Sequence, residues 1–129
     1  MTHEIVDITS VHQTGGSYSH VVRAGDTSYV SGQVAKNRDG TVVGIGDPDA
    51  QCRQVFANLR AVLEEAGSSF DHVVKFTVYL TDAAFIDPYR AVRNELLTKP
   101  MPASTLVIVS GLASPELLVE IEAIAVRSG

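Results

Sequence analysis

Five stretches of this chain carry the apolar and polar texture of strands, and two carry that of helices. The closing stretch, Leu118–Val126, is β-rich and holds neither Gly nor Pro, which marks a strand deep in a sheet. Residues two apart on a strand share a face. Val119, Ile121, Ala123 and Ala125 therefore form an unbroken apolar row. The opposite row, Leu118, Glu120, Glu122, Ile124 and Val126, sets two carboxylates inside an apolar stripe. An ionised Glu is rarely buried without a partner, because its desolvation is costly. That row is open to solvent, covered by groups that satisfy the acids, or the wall of a site.

His20–Ala24 and Thr27–Val34 read as two strands joined by Gly25-Asp26, a link suited to a II′ hairpin turn. Asn37-Arg38-Asp39-Gly40 signals a second turn, with Thr41–Val43 as a short return strand. Residues 1–19 read as irregular, ending in a Gly-Ser loop around Tyr18. Asp47-Pro48 opens a helix, since Asp caps free N–H groups and Pro is tolerated at the first helical position. Cys52, Val55, Phe56, Leu59, Val62, Leu63 and Ala66 then recur at helical spacing, and Gly67 closes the helix. Cys52 on that stripe reads as a core thiol.

Val73–Leu80 is a strand with Val74, Phe76, Val78 and Leu80 on one face and Lys75, Thr77 and Tyr79 on the other. A second helix runs from Ala84 or Asp87 to Leu97, with Phe85, Tyr89, Val92 and Leu96 on its stripe and Pro88 in its first turn. Lys99-Pro100-Met101-Pro102 ends it, and Thr105–Val109 supplies another strand. The expected architecture is α+β: a single domain over 1–129, with two helices on one face of a five- or six-stranded sheet. The strands are apolar on both faces, as Leu106 and Ile108 against Val107 and Val109 illustrate. The uncovered face needs a partner, so a homo-oligomer is expected.

A length of 129 residues suits one domain with a real core. No apolar run approaches the roughly 20 residues of a membrane helix, and the N-terminus lacks a signal-peptide pattern. A net charge of −5, without a Lys/Arg cluster, weighs against nucleic acid or an anionic membrane as partner. Cytoplasm is the expected location, consistent with a single cysteine. His3, His12, His20 and His72 show no metal-like spacing, so no metal site is expected.

Tyr29-Val30-Ser31-Gly32-Gln33, Asn58-Leu59 with Leu63 and Ala66-Gly67, Val74-Lys75 with Thr77-Val78-Tyr79-Leu80, and Val119–Ala125 follow one another in order. Together they resemble the Rid (reactive intermediate deaminase, YjgF-like) family, from about Gly16 to Val126. The resemblance implies a chorismate-mutase-like fold and a homotrimer with clefts between subunits. It also implies hydrolysis of enamine or imine intermediates, such as 2-aminoacrylate, to keto acids and ammonia, without a metal or organic cofactor. Carried over by position, Tyr18, Ser31, Gly32, Tyr89 and Ser104 fall on substrate-binding positions and Glu120 on the catalytic carboxylate.

Two of those positions differ from the family's pattern: Ser104 stands where an Arg is usual and Tyr89 where an Asn is usual. A guanidinium fork grips a carboxylate with two charge-assisted hydrogen bonds. Losing it weakens binding of an α-imino acid by roughly 10²–10⁴-fold. Two other readings stand beside the hydrolase: a small-molecule-binding trimer without turnover, and, more weakly, an endoribonuclease acting on single-stranded RNA. Without the resemblance, Tyr18 is a surface tyrosine, Ser31-Gly32 a bulge, Tyr89 a core residue and Glu122 a structural acid.

Overall fold

The longest element is the helix that Asp47-Pro48 announces, α1 (Pro48–Glu65). The Asp47 side chain accepts from the Ala50 N–H, and Gly67 closes the far end at φ +79°. The computed structural model describes residues 2–127. In chain order the other elements are strands β1 (His3–Val6), β2 (Val21–Ala24), β3 (Thr27–Val34), β4 (Val73–Leu80), β5 (Ala103–Ile108) and β6 (Val119–Val126), and helix α2 (Ile86–Leu96). The six strands form one mixed sheet in the order β1-β2-β3-β6-β4-β5, in which only β4 and β5 pair in parallel.

One core lies between the sheet and both helices. Its strand side is Val21, Val30, Phe76, Val78, Val119, Ile121, Ala123 and Ala125, and its helix side includes Val55, Phe56, Leu59, Tyr89 and Val92. The row Val119–Ala125 is thus the covered face of β6, while Glu120, Glu122 and Ile124 point the other way. Cys52 is buried in this core, and burial pushes its thiol up to about 12.

Polar side chains inside the layer join its parts. Buried Gln51 donates to the Glu116 carbonyl and accepts from the Leu118 N–H, so α1 holds the segment that leads into β6. Buried Asn58 donates to the carbonyls of Val34 and Lys36 at the end of β3. Both residues interrupt an otherwise apolar helical stripe, and unpaired they would cost stability there.

Three expectations change. His3–Val6, read as irregular, is a strand because it pairs with β2 from His3↔Ala24 to Val6↔Val21; four residues with mostly exposed side chains carry no periodicity to detect. Val74 is not on the core face: a register shift between Val73 and Lys75 turns it out to solvent, 47% exposed. Thr41–Val43 is reduced to a single bridge, Lys36↔Val42. The Gly25-Asp26 turn is as expected, with Gly25 at φ +59° and Asp26 outside the left-handed region.

Candidate functional site

Between Val30↔Ala123 and Gln33↔Ile121, β3 has two residues where β6 has one. Ser31 and Gly32 thus form a bulge opposite Glu122, and bulges re-aim side chains. Ser31 turns towards the preceding loop: its N–H donates to the His20 carbonyl at 2.9 Å and its hydroxyl to the Ser19 carbonyl at 2.6 Å. Gly32 leaves room for Glu120, whose carboxyl group lies directly over its α-carbon. A Cβ added to Gly32 would overlap Glu120 Oε2 and sit 2.7 Å from Cδ.

The carboxyl of Glu120 is pushed above the ordinary carboxylate range, first by burial and then by the charge of Glu122 on the same strand face. Tyr18 stands over this spot from the loop. Its ring meets His20 edge-on at 5.9 Å, and burial together with the charge of Glu120 raises its hydroxyl. One chain therefore brings together Tyr18, Ser31, Gly32 and Glu120. A carboxyl biased towards its protonated form is suited to give a proton and take it back, the requirement of a general acid and base.

Tyr89 and Ser104 are elsewhere. Tyr89, a candidate for substrate contact, is instead a core residue: it is 1% exposed and stacks on Phe56 at 6.1 Å between the helices. It lies on the apolar stripe of α2, and burial there outweighs any access to the open face. Ser104 is exposed on the edge strand β5, pairing with core-facing Phe76. Burial raises the Tyr89 hydroxyl above its ordinary value against the opposing pull of Arg93 and Ser104, and the hydroxyl has no hydrogen-bond partner among the described residues. Both residues lie on the helix side of the sheet, away from Glu120.

Two groups around the site were missed from sequence. Behind Tyr18, His20 Nε2 bonds to the His12 carbonyl at 2.8 Å, and Gln33 Nε2 bonds to both His20 Nδ1 and the Ser31 carbonyl. These buried polar residues brace the bulge, and polar residues inside a β-rich run were the available signal. On the open face, Tyr79 of β4 lies opposite Glu120, and its hydroxyl donates to Glu122 Oε1 at 2.5 Å. That contact depends on strand register, which the sequence does not state.

A concavity of about 400 Å³ is on the helix side among Arg60, Phe70, Leu97 and Pro100, away from this chemistry. Among the described residues, no three His, Cys, Asp or Glu side chains gather as a metal site, and no helix is long and apolar enough to cross a membrane.

The profile of the Endoribonuclease L-PSP family matches residues 9–127. The chain is 39% identical over 113 residues to the mitochondrial protein mmf2 of Schizosaccharomyces pombe, covering 86% of this chain and 88% of that one. It is 31% identical over 122 residues to a 2-iminobutanoate/2-iminopropanoate deaminase of Dermatophagoides farinae, covering 95% and 94%. The crystal structure of RidA from the Antarctic bacterium Psychrobacter superposes with a TM-score of 0.83 at 34% identity, covering 96% of this chain and 99% of that one.

Proposed function

The chain belongs to the Endoribonuclease L-PSP family, which includes Rid-like relatives, and on that premise we propose that it is an imine or enamine hydrolase. The observation that carries the reading is Glu120: a carboxyl set over Gly32, inside a bulge, and biased towards its protonated form. In the reaction, water adds to the carbon of a C=N bond while Glu120 gives its proton to nitrogen. Glu120 then takes a proton from the added water and passes it to the same nitrogen, and ammonia leaves as the carbonyl forms and the remaining hydroxyl returns its proton to Glu120. Tyr18 and Ser31 border the space in which the substrate sits.

The working unit is a homotrimer. Tyr29, Val107 and Val126 are exposed on the face that carries Glu120, and a neighbouring copy both covers them and closes the cleft. Within one chain, Ser104 cannot reach Glu120, so its contribution comes from a neighbour's edge strand. With a serine at that position the cleft offers one neutral hydrogen bond where relatives of the Rid pattern offer a guanidinium. Small imines without a carboxylate are the preferred substrates. The buried thiol of Cys52 suits a reducing compartment, and we assign the protein to the cytoplasm.

The test follows ammonia released from freshly generated imines, with and without an α-carboxylate, by wild type, Glu120→Gln and Ser104→Arg. Release from carboxylate-free imines by wild type, lost in Glu120→Gln, is expected. Ser104→Arg is expected to gain activity on α-imino acids. Saturable binding with no release from any imine would favour the second reading, a binding trimer, which the lack of a cation at Ser104 supports. The net charge of −5 weighs against RNA as substrate.

A further inference from the structure

The concavity on the helix side is bounded by the second half of α1, the turn at Phe70–His72, the start of β4 and the segment that follows α2. At about 400 Å³ it is the size of a small-molecule site. Its floor is the outer margin of the core. Phe70, Leu96 and Leu97 pack against the core without being closed over, and Phe70 meets buried Phe76 edge-on at 6.4 Å. Four charged residues line the walls: Arg60 and Glu64 from α1, Asp71 beside Phe70, and Lys99 after α2.

These charges are held differently from their neighbours on the same helices. Two turns earlier on α1, Arg53 is paired with Asp49 at 2.9 Å and with Glu95 of α2 at 2.8 Å. Arg60 has Glu64 four residues on, within reach on one helical face. Its guanidinium lies instead over the Phe70 ring, 5.2 Å from the centroid. Among the described residues none of the four forms an ion pair. A guanidinium laid on a ring is fixed in place with its in-plane N–H donors free, an arrangement suited to a carboxylate. Glu64 and Asp71 are suited to an ammonium, and the floor to an apolar group.

We propose that this concavity binds a free α-amino acid with a large apolar side chain. A plain organic acid would meet Glu64 and Asp71 as like charges, and a plain amine would meet Arg60 and Lys99. A zwitterion answers both signs. A small side chain would leave the floor of Phe70, Leu96 and Leu97 wet, so the apolar group is what adds affinity there. The site is across the sheet from Glu120 and does not draw on the hydrolase reading; either can fail without the other.

Nitrogen-15 amide spectra of the intact protein, titrated with L-phenylalanine, test the proposal. Saturable shifts at Phe70 and Leu97 are expected, with a Kd on the order of 1 mM or tighter. Three partial ligands separate the contributions: 3-phenylpropionate lacks the ammonium, phenethylamine lacks the carboxylate, and glycine lacks the side chain. Each is expected to bind at least about tenfold more weakly than L-phenylalanine. Arg60 is exposed, so Arg60→Gln is expected to keep the fold and to weaken L-phenylalanine about tenfold. Glu120→Gln is expected to bind as wild type does.

The absence of saturable shifts up to about 10 mM L-phenylalanine would overturn the proposal. So would unaltered affinity in Arg60→Gln, or 3-phenylpropionate binding as tightly as L-phenylalanine. Binding lost in Glu120→Gln would also overturn it, because the amino acid would then be seated on the open face.

Discussion

The two faces of the sheet are built from alternate residues of the same strands, yet they obey different rules. On the helix face, Val21, Val78, Val119, Ile121 and Ala125 are all at most 1% exposed. On the other face Tyr29 is 50% and Val126 40% exposed, and two carboxylates share that face with them. The covered face is decided by volume and water exclusion, so any well-shaped apolar residue serves. The open face is decided by individual groups: a bulge, a missing Cβ, a hydroxyl on a carboxylate. One strand, β6, supplies the centre of both.

The sharpest way to break this comparison is to make one change twice. Ile121 and Ile124 lie on the same strand with opposite orientations. Ile121→Ala empties a closed core and is expected to cost about 2–5 kcal/mol in urea denaturation, at any protein concentration. In the proposed trimer a neighbouring copy covers half-buried Ile124, so Ile124→Ala is expected to weaken assembly, with a cost that depends on protein concentration. Light scattering after size exclusion reads that difference. Concentration-independent losses of equal size at both positions would mean that the second face is covered by the chain itself.

Next in size is Gly32→Ala. Gly32 is not in the left-handed region, so its backbone accepts alanine, and the obstacle is the Glu120 side chain. The side chain is expected to swing away, leaving the thermal midpoint within a few degrees while Glu120-dependent turnover falls by about 10²-fold. A folded, fully active variant would show that the carboxyl's place over Gly32 has no part in the chemistry.

The helix face was legible because its signals are periodic. Cys52 to Ala66 recur at helical spacing and Val119 to Ala125 alternate strictly, and both rows are buried as that pattern requires. The Ser31-Gly32 bulge and the Glu120 stripe were legible as anomalies, a glycine within a strand and acids within an apolar row. The rest depends on pairing. Exposed β1 exists through its partner β2, Val74 faces solvent because a register shift intervenes, and Tyr79 meets Glu122 only after β4 and β6 are aligned. Positional transfer also grouped Tyr89 and Ser104 with Glu120, although the sheet separates them within a chain.

A smaller effect contrasts acids on the two sides. Glu65, at the end of α1, accepts from the N–H groups of Thr9 and Ser10 and from the Thr9 hydroxyl, and the Ser10 side chain first and these donors after it pull its carboxyl down from 4.5 to about 2. A carboxylate held below its ordinary value contributes stability that is complete above pH 4.5 and is lost as pH falls towards 2. Wild type is expected to lose melting temperature over that window more steeply than Glu65→Gln. Parallel curves would show that the strap between α1 and the segment before β2 is not electrostatic.

Glu120 is expected to do the reverse, and by the smallest amount. Its carboxyl is displaced upwards, so the unfolded chain releases the proton more readily than the folded one. Above its folded value the charge costs stability; as pH falls through that value the fold takes up a proton and the cost disappears, and below 4.5 none is left. Glu120→Gln keeps the shape against Gly32 and removes the charge. It is expected to melt above wild type at neutral pH and to match it in acid, the gain fading as pH drops. A residue retained at a cost to the fold is what a working site requires, whereas a structural acid would show the opposite sign. If Glu120→Gln melts below wild type at neutral pH, Glu120 is held by a charge partner in the assembly. The open face would then be organised by ion pairing, as Glu65 is by its donors.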